Sequence, residues 1–220
     1  DAARDVAAVA DALGLDRFAV LGRSGGAPHA LACAALLPNR VRRAAAMMSL
    51  APPGAEGLSW FDGMAASNVA EFTGALTDPL DFAERITARA AAIRKDPAQL
   101  LVSIRDGLTE SDRRIVSDPA MSEMLLRNFR EALSTSAYGW IDDDLAFLSH
   151  WGFDPARITR PVLLWHGALD TLSPVGHFEW LAQHIPRARP VLAPEAGHFG
   201  ALEALPDVLD WLCATPQAAS

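Results

Sequence analysis

The chain has no apolar run long enough to cross a bilayer as a helix. It has no basic run and no interleaving of basic and aromatic side chains, and its formal charge is −8. Nucleic acid and membrane are therefore not expected partners. There are only two cysteines, Cys33 and Cys213. Both fall in segments with helical patterning, where they are expected as buried small apolar residues and not as a disulfide or a metal pair. No two histidines have helical metal-ligand spacing and no aspartates have calcium-loop spacing, so no metal is expected. No internal repeat is present. No secretory leader is visible, and a cytoplasmic location is the expectation. What remains is a chain of 220 residues, half of them apolar. That is enough to bury a core and to form one domain with an insertion.

Strand and helix signals alternate at both ends of the chain. Val6, Val9, Ala10 and Leu13 have helical spacing over 2–13, with Gly14 as a stop. A strand at 18–22 follows, then a helix at 25–37 ended by Pro38 and Asn39, and a strand at 42–49. Pro52, Pro53 and Gly54 break the pattern. From 51 to 150 only helical segments are expected, near 59–73, 79–93, 97–107, 111–115 and 119–134. Alternation returns with strands at 161–166 and 189–193 and helices at 174–184 and 199–213. Apolar strands separated by helices indicate parallel βαβ units buried on both faces. The expected fold class is α/β, a parallel sheet flanked by helices. Residues 1–50 and 151–220 form its core, and 51–150 is an α-helical insertion.

Chemistry concentrates at three strand ends. Gly22-Arg23-Ser24-Gly25-Gly26 joins the first strand to its helix and places Ser24 at the centre of a tight G-x-S-x-G turn, with Gly22 and Gly26 leaving room beside it. The bland reading of this turn is a helix-capping serine. Asp170 follows the third strand and His198 the fourth. In a parallel sheet these ends gather on one side, so residues 146 and 28 positions apart in the chain converge there. A serine hydroxyl needs a base to become a nucleophile. Ser24 would attack a carbonyl, His198 would move the proton and Asp170 would orient the imidazole. The Gly25 N–H would face the developing oxyanion. Asp170 could instead cap the helix near Pro174, and His198 could be a satisfied loop histidine.

Other residues carry weaker signals. His166 and His29 read as structural, while His150 and His177 could edge a pocket. Arg23 either contacts substrate or forms a salt bridge. Trp60, Phe61, Met64, Trp140 and Phe147 either line an apolar pocket or fill the insertion's core. The Asp142-Asp143-Asp144 run is a solvated face, a helix start or a negative rim. With Glu110, its carboxylates are candidates for holding a substrate amine.

The set Val20-Leu-Gly-Arg-Ser-Gly-Gly, Pro38-Asn-Arg-Val41, Pro161-Val-Leu-Leu-Trp-His-Gly167 with Asp170, and Ala196-Gly-His198 resembles the α/β-hydrolase superfamily. The likeness covers about residues 1–50 and 155–213 and is similar to its esterase, lactonase and proline-iminopeptidase-like branch. It implies a serine hydrolase acting on a small-molecule ester or amide without a cofactor, with 51–150 as the helical lid. An ester or lactone of a small hydrophobic substrate is the first expectation. An aminopeptidase or amidase is the second, and a non-catalytic binding protein of the same fold is the third. The resemblance also implies strands ahead of residue 1, including the loop that donates the second oxyanion N–H. The chain is thus expected to be the C-terminal part of such a fold, completed by an N-terminal fragment of the same polypeptide, with strand 18–22 otherwise a bare sheet edge.

Overall fold

The computed structural model describes residues 2–99 and 108–214. Among the described residues the sheet has four strands, all parallel, in the order β1 (Phe18–Arg23), β2 (Val41–Met47), β3 (Val162–Gly167) and β4 (Ala188–Ala193). The α-helices among the described residues are α1 (Ala2–Ala12), α2 (Gly26–Leu36), α3 (Ala66–Thr77), α4 (Pro79–Lys95), α5 (Glu110–Val116), α6 (Pro119–Ala132), α7 (Tyr138–Phe147), α8 (Val175–His184) and α9 (Ala201–Cys213). None of the described helices is long and apolar enough to cross a membrane.

Side chains alternate across a strand, so an unbroken apolar strand feeds two cores at once. In β2 and β3, Ala44, Ala46, Val162 and Leu164 join a cluster with Leu31, Ala34, Phe178 and Leu181. Their neighbours Ala45, Met47, Leu163 and Trp165 join another with Ala201 and Val208. Helices α1, α2 and α8 thus cover one face and α9 the other. All of β3 is buried, whereas β1, at one edge of the sheet, is only partly covered.

Between β2 and β3 the regular elements among the described residues are helices. Phe82, Ile86, Ile93, Leu133 and Ile141 give this segment a core of its own. Asp78 accepts the Asp81 N–H ahead of α4, and Asp118 accepts the Met121 N–H ahead of α6, each followed by a proline at the first helical position. Leu50, Met64, Phe72 and Phe147 join the helices to the end of β2.

The differences from expectation have local causes. Gly63, at φ 75°, sits in turns, and the first helix of the insertion starts only at Ala66. Helix α7 was not expected, because Gly139 and three aspartates weaken its pattern. It forms because Ile141, Asp144 and Phe147, three residues apart, face inward. The Asp142–Asp144 run is therefore mid-helix and not a helix start. In α1, Ala3 and Ala10 are buried while Val9, and Leu13 just after the helix, are exposed, so small residues make the packed stripe. Gly14 ends α1 as read, at φ 68°, with the Leu15 N–H returning to the Ala10 carbonyl. Cys33 is buried, but Cys213, in the last turn of α9, is exposed, contrary to expectation. The helix expected at 97–107 lies largely outside the described residues.

Candidate active site

Ser24 follows the last residue of β1 in a left-handed backbone conformation, φ 52°. For a non-glycine residue this costs about 1–3 kcal/mol and persists only where the surroundings enforce it. Here the Ser24 N–H donates to the Met47 carbonyl at 2.8 Å, and the Ala27 N–H to the Ser24 carbonyl at 2.9 Å. The turn closes because Gly22 lacks a side chain: a Cβ there would lie 2.1 Å from the Gly26 oxygen and 2.7 Å from the Ala27 Cα. A Cβ on Gly26 would meet nothing within 4 Å. Only one of the two flanking glycines is therefore sterically required, which corrects the sequence reading. Gly25 is constrained from another side, since a Cβ there would touch the Phe147 ring at 2.8 Å.

The ends of β3 and β4 bring in two more groups. His198 Nδ1 lies 2.8 Å from Asp170 Oδ2, and its Nε2 lies 3.0 Å from Ser24 Oγ. With a carboxylate accepting at Nδ1, that nitrogen carries the proton and Nε2 is left to accept from the serine. Asp170 Oδ1 accepts the Leu172 and Ser173 N–H groups at 2.8 and 3.0 Å. It shapes its own loop and does not cap α8, whose N-cap is Pro174. Burial pushes the Asp170 carboxyl up, but the His198 charge and hydrogen bond, His166 and the Ser173 N–H outweigh this and hold it below the ordinary range. It stays anionic beside the imidazole. His166 is buried and donates Nε2–H to the Ser173 carbonyl at 2.7 Å, a structural bond.

A cavity of about 180 Å³ opens at Ser24, Gly25 and His198. Leu50, Phe72 and Phe147 contribute apolar walls, and Asn68, Glu71 and Asp144 polar ones. A larger cavity of about 660 Å³ runs between residues 57–63 and 168–179 and reaches neither Ser24 nor His198. Glu71 is anchored by Arg89 at 2.6 Å and by Trp140 Nε1–H at 2.9 Å. Asp144 is buried, with Oδ2 lacking a hydrogen-bond partner among the described residues. Burial first, then the Glu71 charge and hydrogen bond and the Asp143 charge, push its carboxyl up to about 8. At neutral pH it holds a proton beside Glu71.

This predicts a pH signature. The unfolded carboxyl titrates near 3.9. Between that value and about 8 the folded chain binds the extra proton. Stability therefore falls as pH rises through this window and levels off above it. Asp144→Asn removes the titration. It is expected to gain on wild type by a few kcal/mol at pH 9 relative to pH 5, read by thermal unfolding. An equal difference at both pH values would contradict a buried, protonated Asp144.

The sequence candidates divide. Ser24, His198, Gly25 and Phe147 line the cavity and Asp170 lies behind His198, but Trp60, Phe61 and Trp140 do not line it. Trp60 donates Nε1–H to the Ala51 carbonyl and packs edge-on to Phe61, Phe72 and His177. Trp140 is tied to Glu71 and lies under the Arg89 guanidinium. Arg23 also misses the cavity and reaches over the Phe199 ring at 5.2 Å. Of the acidic candidates only Asp144 faces the cavity. Glu110 pairs with Arg114, and Asp143 with His29, at the surface. His177 is buried between the Ala51 N–H and the Trp60 carbonyl, and His150 holds the Gly152 N–H. Sequence reasoning missed Asn68, Glu71 and Phe72, which share one face of α3, and Asp112, whose Thr109-x-x-Asp112 capping box was legible.

Fold and site together define a parallel α/β protein that presents a serine, an imidazole and a carboxylate in hydrogen-bonded series at one edge of its sheet. The chain belongs to the alpha/beta hydrolase fold family, whose sequence model matches residues 1–205. It is 50% identical over 42 residues to the pimeloyl-[acyl-carrier protein] methyl ester esterase of Nitrosomonas europaea, a stretch covering 19% of this chain and only 17% of the esterase. A hydrolase from Pseudomonas aeruginosa PA01 superposes with TM-score 0.60 at 25% identity, covering 96% of this chain and 71% of that one. The enol-lactonase of Burkholderia xenovorans LB400 superposes with TM-score 0.65 at 22% identity, covering 96% and 72%.

Proposed function

We propose that the protein is a serine hydrolase that cleaves a small carboxylic ester or lactone through an acyl-enzyme. The observation that carries this reading is the chain of hydrogen bonds from Asp170 through His198 to Ser24, at 2.8 and 3.0 Å. Ser24 Oγ adds to the carbonyl carbon while His198 Nε2 takes the hydroxyl proton. The tetrahedral intermediate collapses, the C–O bond to the leaving group breaks, and His198 returns the proton to the departing alkoxide. Water, deprotonated by the same imidazole, then releases the acid and regenerates Ser24. Asp170 holds the tautomer and stabilises the imidazolium. The Gly25 N–H, at the N-terminus of α2, supports the oxyanion. Helices α3–α7 act as a lid that excludes water and limits substrate size to the small cavity. Relatives named as an ester esterase and an enol-lactonase support this choice of substrate.

A second reading has its own support. Glu71 and the buried Asp144 place two carboxyl groups in the wall of the cavity. Such a wall suits a substrate amine, as in an aminopeptidase or amidase. Turnover of short p-nitrophenyl esters and small lactones against amino-acid amides separates the two. Faster ester turnover is the expected result. Preference for amides, with a raised KM in Glu71→Gln, would favour the second reading. A wild-type protein that turns over neither and ignores a fluorophosphonate would sink both.

A further inference from the structure

Asp112 belongs to α5, in the middle of the helical segment, and does not line the cavity at Ser24. It is nonetheless among the most buried charged residues, at 1% exposure. A buried carboxylate is costly unless hydrogen bonds replace its water. Asp112 finds them in an unusual place. Its Oδ2 accepts the His198 backbone N–H at 3.1 Å, and its Oδ1 accepts the Phe199 N–H at 2.7 Å. Helix capping alone does not require this. The capping box uses the Thr109 N–H at 3.4 Å and the Asp112 N–H to Thr109 Oγ1 at 3.1 Å, which an exposed side chain could also do.

Two further features mark the junction between α5 and the His198 loop. A Cβ on Gly197 would lie 2.1 Å from Asp112 Oδ2 and 2.5 Å from Thr109 Oγ1, so helix and loop meet with no room for a side chain. Arg23, beside Ser24, lies over the Phe199 ring. Burial pulls its guanidinium down, and the charges of Asp170 and Asp112 oppose this. Asp112 is thus the second of two carboxylates set around the His198 loop. Asp170 binds the imidazole, and Asp112 binds the main chain that carries it.

We propose that Asp112 is a positioning residue for His198: by clamping the consecutive N–H groups of His198 and Phe199, it aligns the imidazole between Asp170 and Ser24, so that the base is aligned only when α5 is seated. The inference rests on the serine-hydrolase reading. Asp112 acts through His198 and touches no substrate. A carboxylate accepting from two successive backbone N–H groups is a strong, directional contact. A misplacement of about 1 Å at a base costs on the order of 100-fold in rate.

The test uses a small fluorophosphonate, which reports the nucleophile without knowledge of the substrate. Asp112→Asn keeps the size and one acceptor oxygen but turns an NH₂ towards the other N–H. Its limiting labelling rate is expected to fall roughly 10–100-fold, with the half-saturating probe concentration and the circular dichroism little changed. Asp112→Glu keeps the charge, displaces the carboxylate and is expected to lose rate as well. Thr109→Ala loosens the helix end while sparing the clamp and should label nearly as wild type. A wild-type limiting rate in a folded Asp112 variant overturns the proposal, and so does an equal loss in Thr109→Ala. In the wild type itself, the His198 and Phe199 amide protons should resist hydrogen exchange, and rapid exchange there also overturns it. Failure of the wild type to label at all would instead overturn the serine-hydrolase reading.

Discussion

Ser24→Ala is expected to abolish covalent labelling by a fluorophosphonate and to lower kcat by about 10⁶-fold, the scale seen when a serine nucleophile of this kind is removed. The reasoning is chemical. In the proposed mechanism the hydroxyl at 3.0 Å from His198 Nε2 is the atom that forms the acyl bond. Without it, His198 and Asp170 retain their 2.8 Å contact but have no nucleophile to activate. The fold should survive, because the bonds that hold residue 24 in its left-handed conformation are made by its backbone N–H and carbonyl. Unfolding temperatures of variant and wild type should therefore agree closely. Labelling that persists in folded Ser24→Ala would assign the reactive atom elsewhere and remove the basis of the mechanism.

Gly22→Ala is expected to destabilise the protein by more than about 3 kcal/mol, at the upper end of single substitutions, and to abolish labelling with it. The added Cβ would lie 2.1 Å from a backbone oxygen and 2.7 Å from a backbone Cα. Neither can move unless β1 separates from α2, because both belong to the turn that presents Ser24. Gly26→Ala is the internal comparison. Its Cβ enters open space, and glycine near a helix start costs about 0.5–1 kcal/mol relative to alanine. A neutral or slightly stabilising effect with full labelling is expected. Urea unfolding of the two variants checks both. Equal, mild effects at the two positions would show that the turn is not closed by backbone contact at Gly22.

Much of this was legible in the chain because the relevant signals are local. Four apolar strands between helical patterns dictate a parallel sheet, and a parallel sheet gathers its strand ends on one edge. Ser24, Asp170 and His198 each lie in the loop that follows a strand, so their meeting could be read without coordinates. Gly14 as a helix stop and the helices that start at Pro79 and Pro119 are equally local.

The walls of the site were not legible, because they are set by contacts between residues far apart in the chain. Phe147 was chosen with Trp60, Phe61 and Trp140 on aromatic character alone, and only Phe147 faces the cavity. Trp60 turns inward because its indole finds the Ala51 carbonyl, and Trp140 because its own finds Glu71. Asp144 looked like one more charge in an acidic run until α7 turned it into the interior. Asp112 had only a capping signature in the sequence. Its hold on His198, 86 residues away, exists because α5 packs against the loop after β4. By itself, the sequence determined the parallel α/β core and the three residues at its edge, since strand period, helix period and turn chemistry act over a few residues. Only the tertiary structure decided which side chains line the cavity, which carboxyl group keeps its proton and what holds the histidine in place. Burial and long-range hydrogen bonds belong to the packed chain and not to any segment of it.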